Sequence, residues 1–485
     1  MSRTRAVPQP DRLPAGKLLA WAGAGVSAGA NFIVLGYFSL YATDTLGLPA
    51  AGVGVIVLIS SLTNVAGGLI AAWVVDRSPE TRWGKARPYE FAVLGTWIAT
   101  WLLFSTPAGF DQAGRIIWLA VTYVSINAVF DALLRANDTL YMARAFANRH
   151  VYAKVTTRAG IFTTLGGIIM SITLPVALNA AGKSPELWSI TVLCFAVPLA
   201  LIGMTRFAFV KEEYRSADIH ETPVRLRDLT EALRTTPWIW LVAGLMLLAM
   251  SINGANMISY YFRYIVGNLA LQGAFAAVGI IILPIVLIIP RLMRRFAISQ
   301  ILLVGSAIGL VGAGFYAIAN GNLLFVLIGG ILGGVAMLPI SYLGVVMVLD
   351  ICRYNEWRGK RRMESTMGAL TGVAGRIGTG LAGLVVGLVL SASGYDGTQD
   401  TQPPQVEVAI TTLFAGIPAL VFGLIFVLML IYSRFDRKLL PIANTELDAR
   451  DAEAAGHDAD DLPPLVLPGA VPIPGTAAAP PEPHA

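Results

Sequence analysis

Apolar and polar residues are sorted along this chain into long alternating blocks. Twelve apolar runs stand out, at 18–42, 51–75, 89–107, 116–134, 159–181, 187–210, 238–262, 266–290, 298–319, 323–349, 367–393 and 408–432. Each is near the ~20 residues an α-helix needs to cross ~30 Å of hydrocarbon. The pattern predicts an all-α polytopic membrane protein with about twelve transmembrane helices. The run 18–42 is too long for a signal-peptide core and has no convincing cleavage site, so it is the expected first span.

The polar breaks carry the topology. The break at 76–89 holds Arg77, Arg82, Lys85 and Arg87, so the runs on either side must both enter the membrane from its side. Pro88 suits the start of the next helix, where its missing N–H costs nothing. Five such breaks, at 76–88, 135–158, 211–236, 291–297 and 353–364, hold 22 Lys and Arg; the breaks between them hold only Arg115, Lys183 and Arg263. By the positive-inside rule the five basic loops and both termini are cytoplasmic.

The long break divides the spans six and six. The expected organisation is a cytoplasmic segment 1–17, a six-helix bundle 18–210, a cytoplasmic central loop 211–236, a second six-helix bundle 237–433 and a disordered cytoplasmic tail 434–485. Within the central loop, 223–236 alternates charge and leucine as an amphipathic surface helix does. Two six-helix halves with a solute bound between them is the major facilitator plan.

Composition agrees and removes other classes. Hydrophobic residues are 55% of the 485 and charged ones 13%, with mean hydropathy +0.66, far from a soluble domain. The net charge of +5 is explained by the loops, so no nucleic-acid partner is expected. Cys194 and Cys352 read as free thiols. His150, His220, His457 and His484 lie in loops or the tail without metal-ligand spacing, no span gathers a nucleophile with a base, and there is no Walker loop. Neither an enzyme nor a cofactor is expected, and transport energy must come from a gradient or from the solute.

Several stretches are similar to those of the glycoside–pentoside–hexuronide:cation symporters, the melibiose permease group. They are Tyr41-Ala-Thr-Asp44 with Leu46-Gly-Leu, the loop Asp76-Arg77…Arg82-Trp-Gly-Lys-Ala-Arg-Pro88, Tyr260-Tyr-Phe-Arg-Tyr264, and Tyr354-Asn-Glu-Trp-Arg-Gly-Lys-Arg-Arg-Met-Glu364. The similarity covers roughly 17–435. It implies a major facilitator fold that carries a sugar, glycoside or uronide by alternating access across the cytoplasmic membrane. It also implies that the family's cation-binding aspartates fall on Asn64, Gly68 and Asn127, a sugar-binding aspartate near Ala28, and two basic site residues on Arg376 and Arg158. A sodium site wants several oxygens with net negative charge, so the missing carboxylates point to proton coupling or none. The resemblance further implies a cytoplasmic latch from Asp76, Arg77, Glu356 and Arg362; the plain alternative is that these charges fix topology and meet lipid head groups.

Among residues inside spans, Arg376 is too deep to snorkel easily and is a candidate ligand for the solute. Asp131 reads as the one carboxylate well inside a predicted helix. It is a candidate proton carrier, or else the local partner of Arg135 four residues on. Asn31, Asn64, Asn127, Asn253, Asn256 and Tyr260 are candidate sugar contacts, or interhelical glue. Asp44 reads as a helix-end structural residue, or else as an outer gate. The expected partners are a carbohydrate or organic-anion solute, a possible coupling proton and membrane lipids. The competing class is a lysolipid carrier or a non-transporting sensor on the same scaffold.

Overall fold

The computed structural model describes residues 14–146, 149–213, 234, 236–282, 284–285, 288–360 and 363–454. The spans follow in order as α1 (Ala15–Thr45), α2 (Ala50–Arg77), α3 (Ala92–Leu103), α4 (Gln112–Ala145), α5 (Arg149–Ala181), α6 (Pro185–Phe209), α7 (Trp238–Tyr264), α8 (Gln272–Ile282), α9 (Ile298–Ile318), α10 (Leu323–Trp357), α11 (Glu364–Ala392) and α12 (Pro404–Arg434). Among the described residues ten helices are long and apolar enough to cross a membrane. The expected third and eighth spans are the shorter two. α3 is entered through a 3₁₀ turn, Arg87–Phe91, with Pro88 in its first turn, as its missing N–H favours. α8 is followed by a further helical turn at Ile289–Met293. Large apolar side chains such as Phe32, Ile70, Leu201 and Val345 are exposed on the helix surfaces, which suits a multi-pass membrane protein whose outer solvent is lipid.

Within the first half α1 packs on α5 and α6, α3 on α6, and α2 on α4; within the second, α7 packs on α11 and α9 on α10 and α12. The halves meet where α2 lies on α11 and α5 on α8. At the face where α2 begins, one apolar cluster joins both halves, bringing Tyr41, Phe104 and Trp188 together with Tyr261, Phe262 and Phe414. At the opposite, basic-loop face there are two clusters, one in each half. The halves are therefore packed together at one face and separate at the other.

Three spans are irregular. α1 passes into a π turn at Tyr41–Thr45 and α4 contains another at Ser125–Phe130. α7 breaks at Asn256, which takes the left-handed conformation (φ 46°) that Asn tolerates better than most residues. Such breaks often mark functional hinges.

The first part of the expected disordered tail is helical. α12 runs through a π turn, Phe435–Leu439, into α13 (Leu440–Ala454). Phe435 packs against Trp238 and Tyr354, Asp436 accepts from the Ser299 amide at 2.6 Å and so caps α9, and Leu440, Ala443 and Leu447 are buried. Burial of one helical stripe is what orders this segment. Residues 455–485 and most of the expected surface helix 223–236 lie outside the described residues. Cys194 and Cys352 form no disulfide among the described residues.

Candidate functional site

Asp44 lies at the end of α1 with a side chain of 0% exposure, and apart from the adjacent Thr43 its partners come from the other half. Oδ2 accepts from the Tyr264 hydroxyl at 2.7 Å and pairs with Arg263 Nε at 3.1 Å; Oδ1 accepts from Tyr395 and, at 2.9 Å, from Thr43. Tyr260, expected to face the solute, is instead buried here, 3.1 Å from the Thr43 hydroxyl and edge-on to Tyr395. Burial, and then the neighbouring Asp44 charge, push the Tyr395 hydroxyl well above its ordinary value, so it remains a donor. Lys183 adds a second tie across the seam, bonding the Thr398 and Gln399 carbonyls at 3.1 and 2.8 Å and Asp400 at 2.8 Å. Its hydrogen bond, then its charge, hold the exposed Asp400 carboxyl below the usual range. Asp44 is thus more than the helix-end residue expected: it joins the halves.

From this face the α2–α11 seam runs toward mid-depth. A Cβ on Gly54 would come within 2.8 Å of the Gly383 carbonyl oxygen, and one on Gly387 within 2.4 Å of that of Ala50, so only glycine lets these backbones meet. The contact reaches Arg376, whose Nη1 donates to the Asn64 carbonyl at 2.6 Å and to its side-chain oxygen; Gly68 leaves the space beside it. Beyond Arg376, a Cβ on Gly372 or Gly368 would meet nothing within 4 Å. Arg376 sits where the two helices part.

A cavity of about 780 Å³ extends from mid-depth toward the basic-loop face, lined by α1, α3, α4, α5 and α6. This is within the size range of small-molecule sites. Of the expected contacts, Asn31, Asn127 and Asp131 lie on its wall, as does Ala28. Asn31 donates to the Thr100 hydroxyl at 2.7 Å, and Asn127 to the Tyr123 carbonyl one turn back at 2.9 Å. Asn64, Arg158, Asn256, Tyr260 and Arg376 are not among the wall residues. Arg158 and Asn253 are exposed and Asn256 half-buried at the α7 break. Arg376, expected to face the chamber, turns to Asn64, whose backbone and side-chain oxygens both accept from its Nη1. Asp131 and Arg135 are still near enough to act on it electrostatically.

Asp131 pairs with Arg135 at 2.7 Å, the local arrangement that their spacing allows. It is not the deepest carboxylate. Glu90, 0% exposed, forks Arg206 with two contacts of 2.7 Å and accepts from Asn137 at 3.1 Å. Arg206 also reaches Asp138 at 2.5 Å and lies against the Trp21 and Tyr141 rings. Sequence reading missed this network, although Glu90 and Arg206 were visible as charges inside the apolar runs 89–107 and 187–210.

In this structure the basic loop is bonded within its own half. Its Lys85, Ala86 and Arg87 amides donate to Glu212 at 3.2, 2.8 and 2.9 Å, and Arg144 joins at 3.1 Å. Gly84 (φ 105°) has no room for a Cβ, which would lie 2.3 Å from that carboxylate. Asp76 and Arg77 are exposed, and the Arg77 guanidinium covers the Trp73 ring at 4.6 Å. Glu356 lies near the end of α10 in the other half; Arg362 lies outside the described residues. The clamp on Glu212 is internal to the first half because its donors are backbone amides of that half's own loop.

Residues 22–434 match the family described as MFS/sugar transport protein. The chain is 26% identical over 437 residues to an isoprimeverose transporter of Lactiplantibacillus pentosus, covering 87% of this chain and 88% of that one. It is 23% identical over 417 residues to a glucuronide carrier protein homolog of Escherichia coli, covering 84% and 90%. Among solved structures, a bacterial homolog of the human lysosomal transporter Spinster, in an inward-facing and unoccupied conformation, superposes with a TM-score of 0.65 at 14% identity, over 90% of this chain and 99% of that one. A nucleoside transporter gives 0.59 at 16% identity, over 85% and 98%. Likeness at such identity speaks to fold alone, and the fold is that of major facilitator carriers. The family match covers most of the chain, and with the paired halves and the cavity it assigns this protein to the MFS/sugar transport family.

Proposed function

We propose that this protein is a secondary transporter that moves a sugar, glycoside or uronide across the cytoplasmic membrane by alternating access, and that the structure is its inward-facing state. One observation carries the reading: the α2–α11 seam is closed from the Asp44 face down to Arg376 and parts beyond it, and a cavity in the first half, apolar over most of its wall but bearing several polar and charged groups, lies toward the parted side. With the basic loops and both termini cytoplasmic, as their Lys and Arg content argues, the cavity opens inward. A wall bearing Asn31, Asn127, Asp131 and Asp138 suits hydroxyl-rich solutes better than a lysolipid chain. Relatives named for isoprimeverose and for glucuronide support the same class.

Coupling is to protons or absent. Asn64, Gly68 and Asn127 bring no negative charge, and the space beside the first two is occupied by a guanidinium, which would repel sodium. Arg376 lies off the wall of this cavity, at the mid-depth end of the closed seam, and we propose that a solute reaching the seam competes with Asn64 for it. Uptake into proteoliposomes under imposed sodium and pH gradients tests both parts. Strong sodium stimulation would overturn the coupling; failure to accumulate any neutral glycoside or glucuronide would overturn the carrier.

A further inference from the structure

We infer that Asp138 is a solute-binding residue, whose carboxylate accepts a sugar hydroxyl at the basic-loop end of the cavity and is held in place by Arg206. The inference rests on the carrier reading above and names a ligand in the same cavity.

Asp131, Arg135 and Asp138 are spaced i, i+4 and i+7 on α4, so they share one face of the helix, and all three are on the cavity wall. The carboxylates differ in how firmly they are held. Among the described residues Asp131 is bound only by Arg135, whose own side chain is 66% exposed. Asp138 is bound through Oδ1 by Arg206, whose Nε and Nη2 are both taken by Glu90 and whose guanidinium lies near the Trp21 and Tyr141 rings, at 4.7 and 5.3 Å. Every nitrogen of that guanidinium is engaged, and it cannot turn without breaking a buried pair. Oδ2 of Asp138 accepts no hydrogen bond among the described residues, and the side chain is 55% exposed.

A fixed anionic acceptor with one unused oxygen facing a cavity is what a hydroxyl-rich solute needs. Pre-set geometry removes the ordering cost that weakens flexible contacts, and hydrogen bonds to a charged acceptor are among the stronger ones. A purely structural role explains less. Asn137, the preceding residue, already ties α4 to the Glu90–Arg206 pair, so the fold does not need Asp138 for that purpose. Trp21 also lines this end of the cavity, and Thr139, beside Asp138 on the wall, offers a further hydroxyl.

The test uses the full chain in proteoliposomes with isoprimeverose, methyl glycosides lacking one hydroxyl at a time, and a methyl glucuronide. Asp138→Asn is expected to keep the thermal stability of the parent. It should raise KM for the transported glycoside about tenfold or more with little change in maximal rate, and lose the parent's discrimination against one particular deoxy analogue. A second measurement does not depend on rate: Asp138→Cys, in a Cys194→Ser, Cys352→Ser background, should react with a charged thiol reagent and be protected by that glycoside. Parent uptake with an unchanged KM in Asp138→Asn, or labelling that the glycoside does not slow, would overturn Asp138 as a ligand and leave the carrier standing. A parent that moves none of these solutes would overturn both.

Discussion

On the Asp44 face, a buried carboxylate of the first half is bound by Arg263, Tyr264 and Tyr395 of the second. On the basic-loop face, Glu90 and Glu212 are bound by Arg206, Arg144 and the 85–87 amides, all from their own half. Both arrangements satisfy buried charge, which is costly to leave unpaired. They differ in what must happen to them during transport. Bonds inside a half can persist through a rocking motion, whereas bonds across the seam must break for the other face to open. The location of a polar cluster relative to the seam therefore separates groups that maintain the fold from groups that set the conformational balance.

The sharpest way to break this comparison is to remove one partner inside a half. Glu90→Gln leaves the Arg206 guanidinium short of its counter-charge, and removing one member of a buried pair costs about 3–5 kcal/mol. The expected outcome is a large fall in melting temperature in detergent and poor recovery of folded protein. Equal stability to the parent would show that the network is not structural.

Asp44→Asn should act differently. It keeps a side chain of the same shape but loses the ion pair across the seam, so the fold should survive while the outward-open population rises. Spin labels at Gln112 and Thr401, on opposite sides of the seam, should report longer distances, and uptake should fall about tenfold. An unchanged distance distribution would make Asp44 a helix-end residue after all.

Gly54→Val tests the seam without touching a charge. Overpacking typically costs about 1–3 kcal/mol, and here the penalty falls only on the state in which α2 and α11 meet. A shift of the same label pair toward longer distances, with a melting temperature close to the parent's, is expected. Gly378→Val provides the control, because its Cβ would strike Leu247 of the same half; it should lower stability instead.

The smallest effect is expected from pH at the Lys183–Asp400 tie. The Asp400 carboxyl titrates lower in the closed state than when free, because Lys183 bonds it. Its contribution to closure is thus complete above the ordinary carboxylate pKa and is lost as pH falls through the depressed value. Between pH 6 and 8 the label distances should not respond through this pair (roughly two units clear of the ordinary carboxylate range), and Lys183→Ala should shift them only slightly. A steep response in that window would place the titrating group elsewhere.

The spans were legible because hydrocarbon thickness imposes a run length that survives in a single sequence. The seam partners were not. Asp44 and Tyr395, or Glu90 and Arg206, belong to different spans or the loops that end them, and nothing in one sequence fixes the distance between separate spans. Tyr260 and Arg376 were recognised as special but given the wrong surroundings for the same reason. The tail was misread where a signal did exist: Leu440, Ala443 and Leu447 repeat at helical spacing, but the acidic residues around them suggested solvation. The Asn residues were half legible. Their polarity marked α1, α2, α4 and α7 as unusual, and only coordinates separate Asn31 and Asn127, on the cavity, from Asn64 and Asn256, off it.

The π turn at Ser125–Phe130 gives α4 one more residue than a regular helix would place over the same length. If the turn tightened to α geometry, everything beyond it would rotate by about 100°, the angular step of one residue. Asp131, Arg135 and Asp138 would then leave the wall together, and the Asp138–Arg206 and Asn137–Glu90 bonds would break with them. The wide turn is therefore what gives the cavity its charged wall, and the buried network beyond it holds that register.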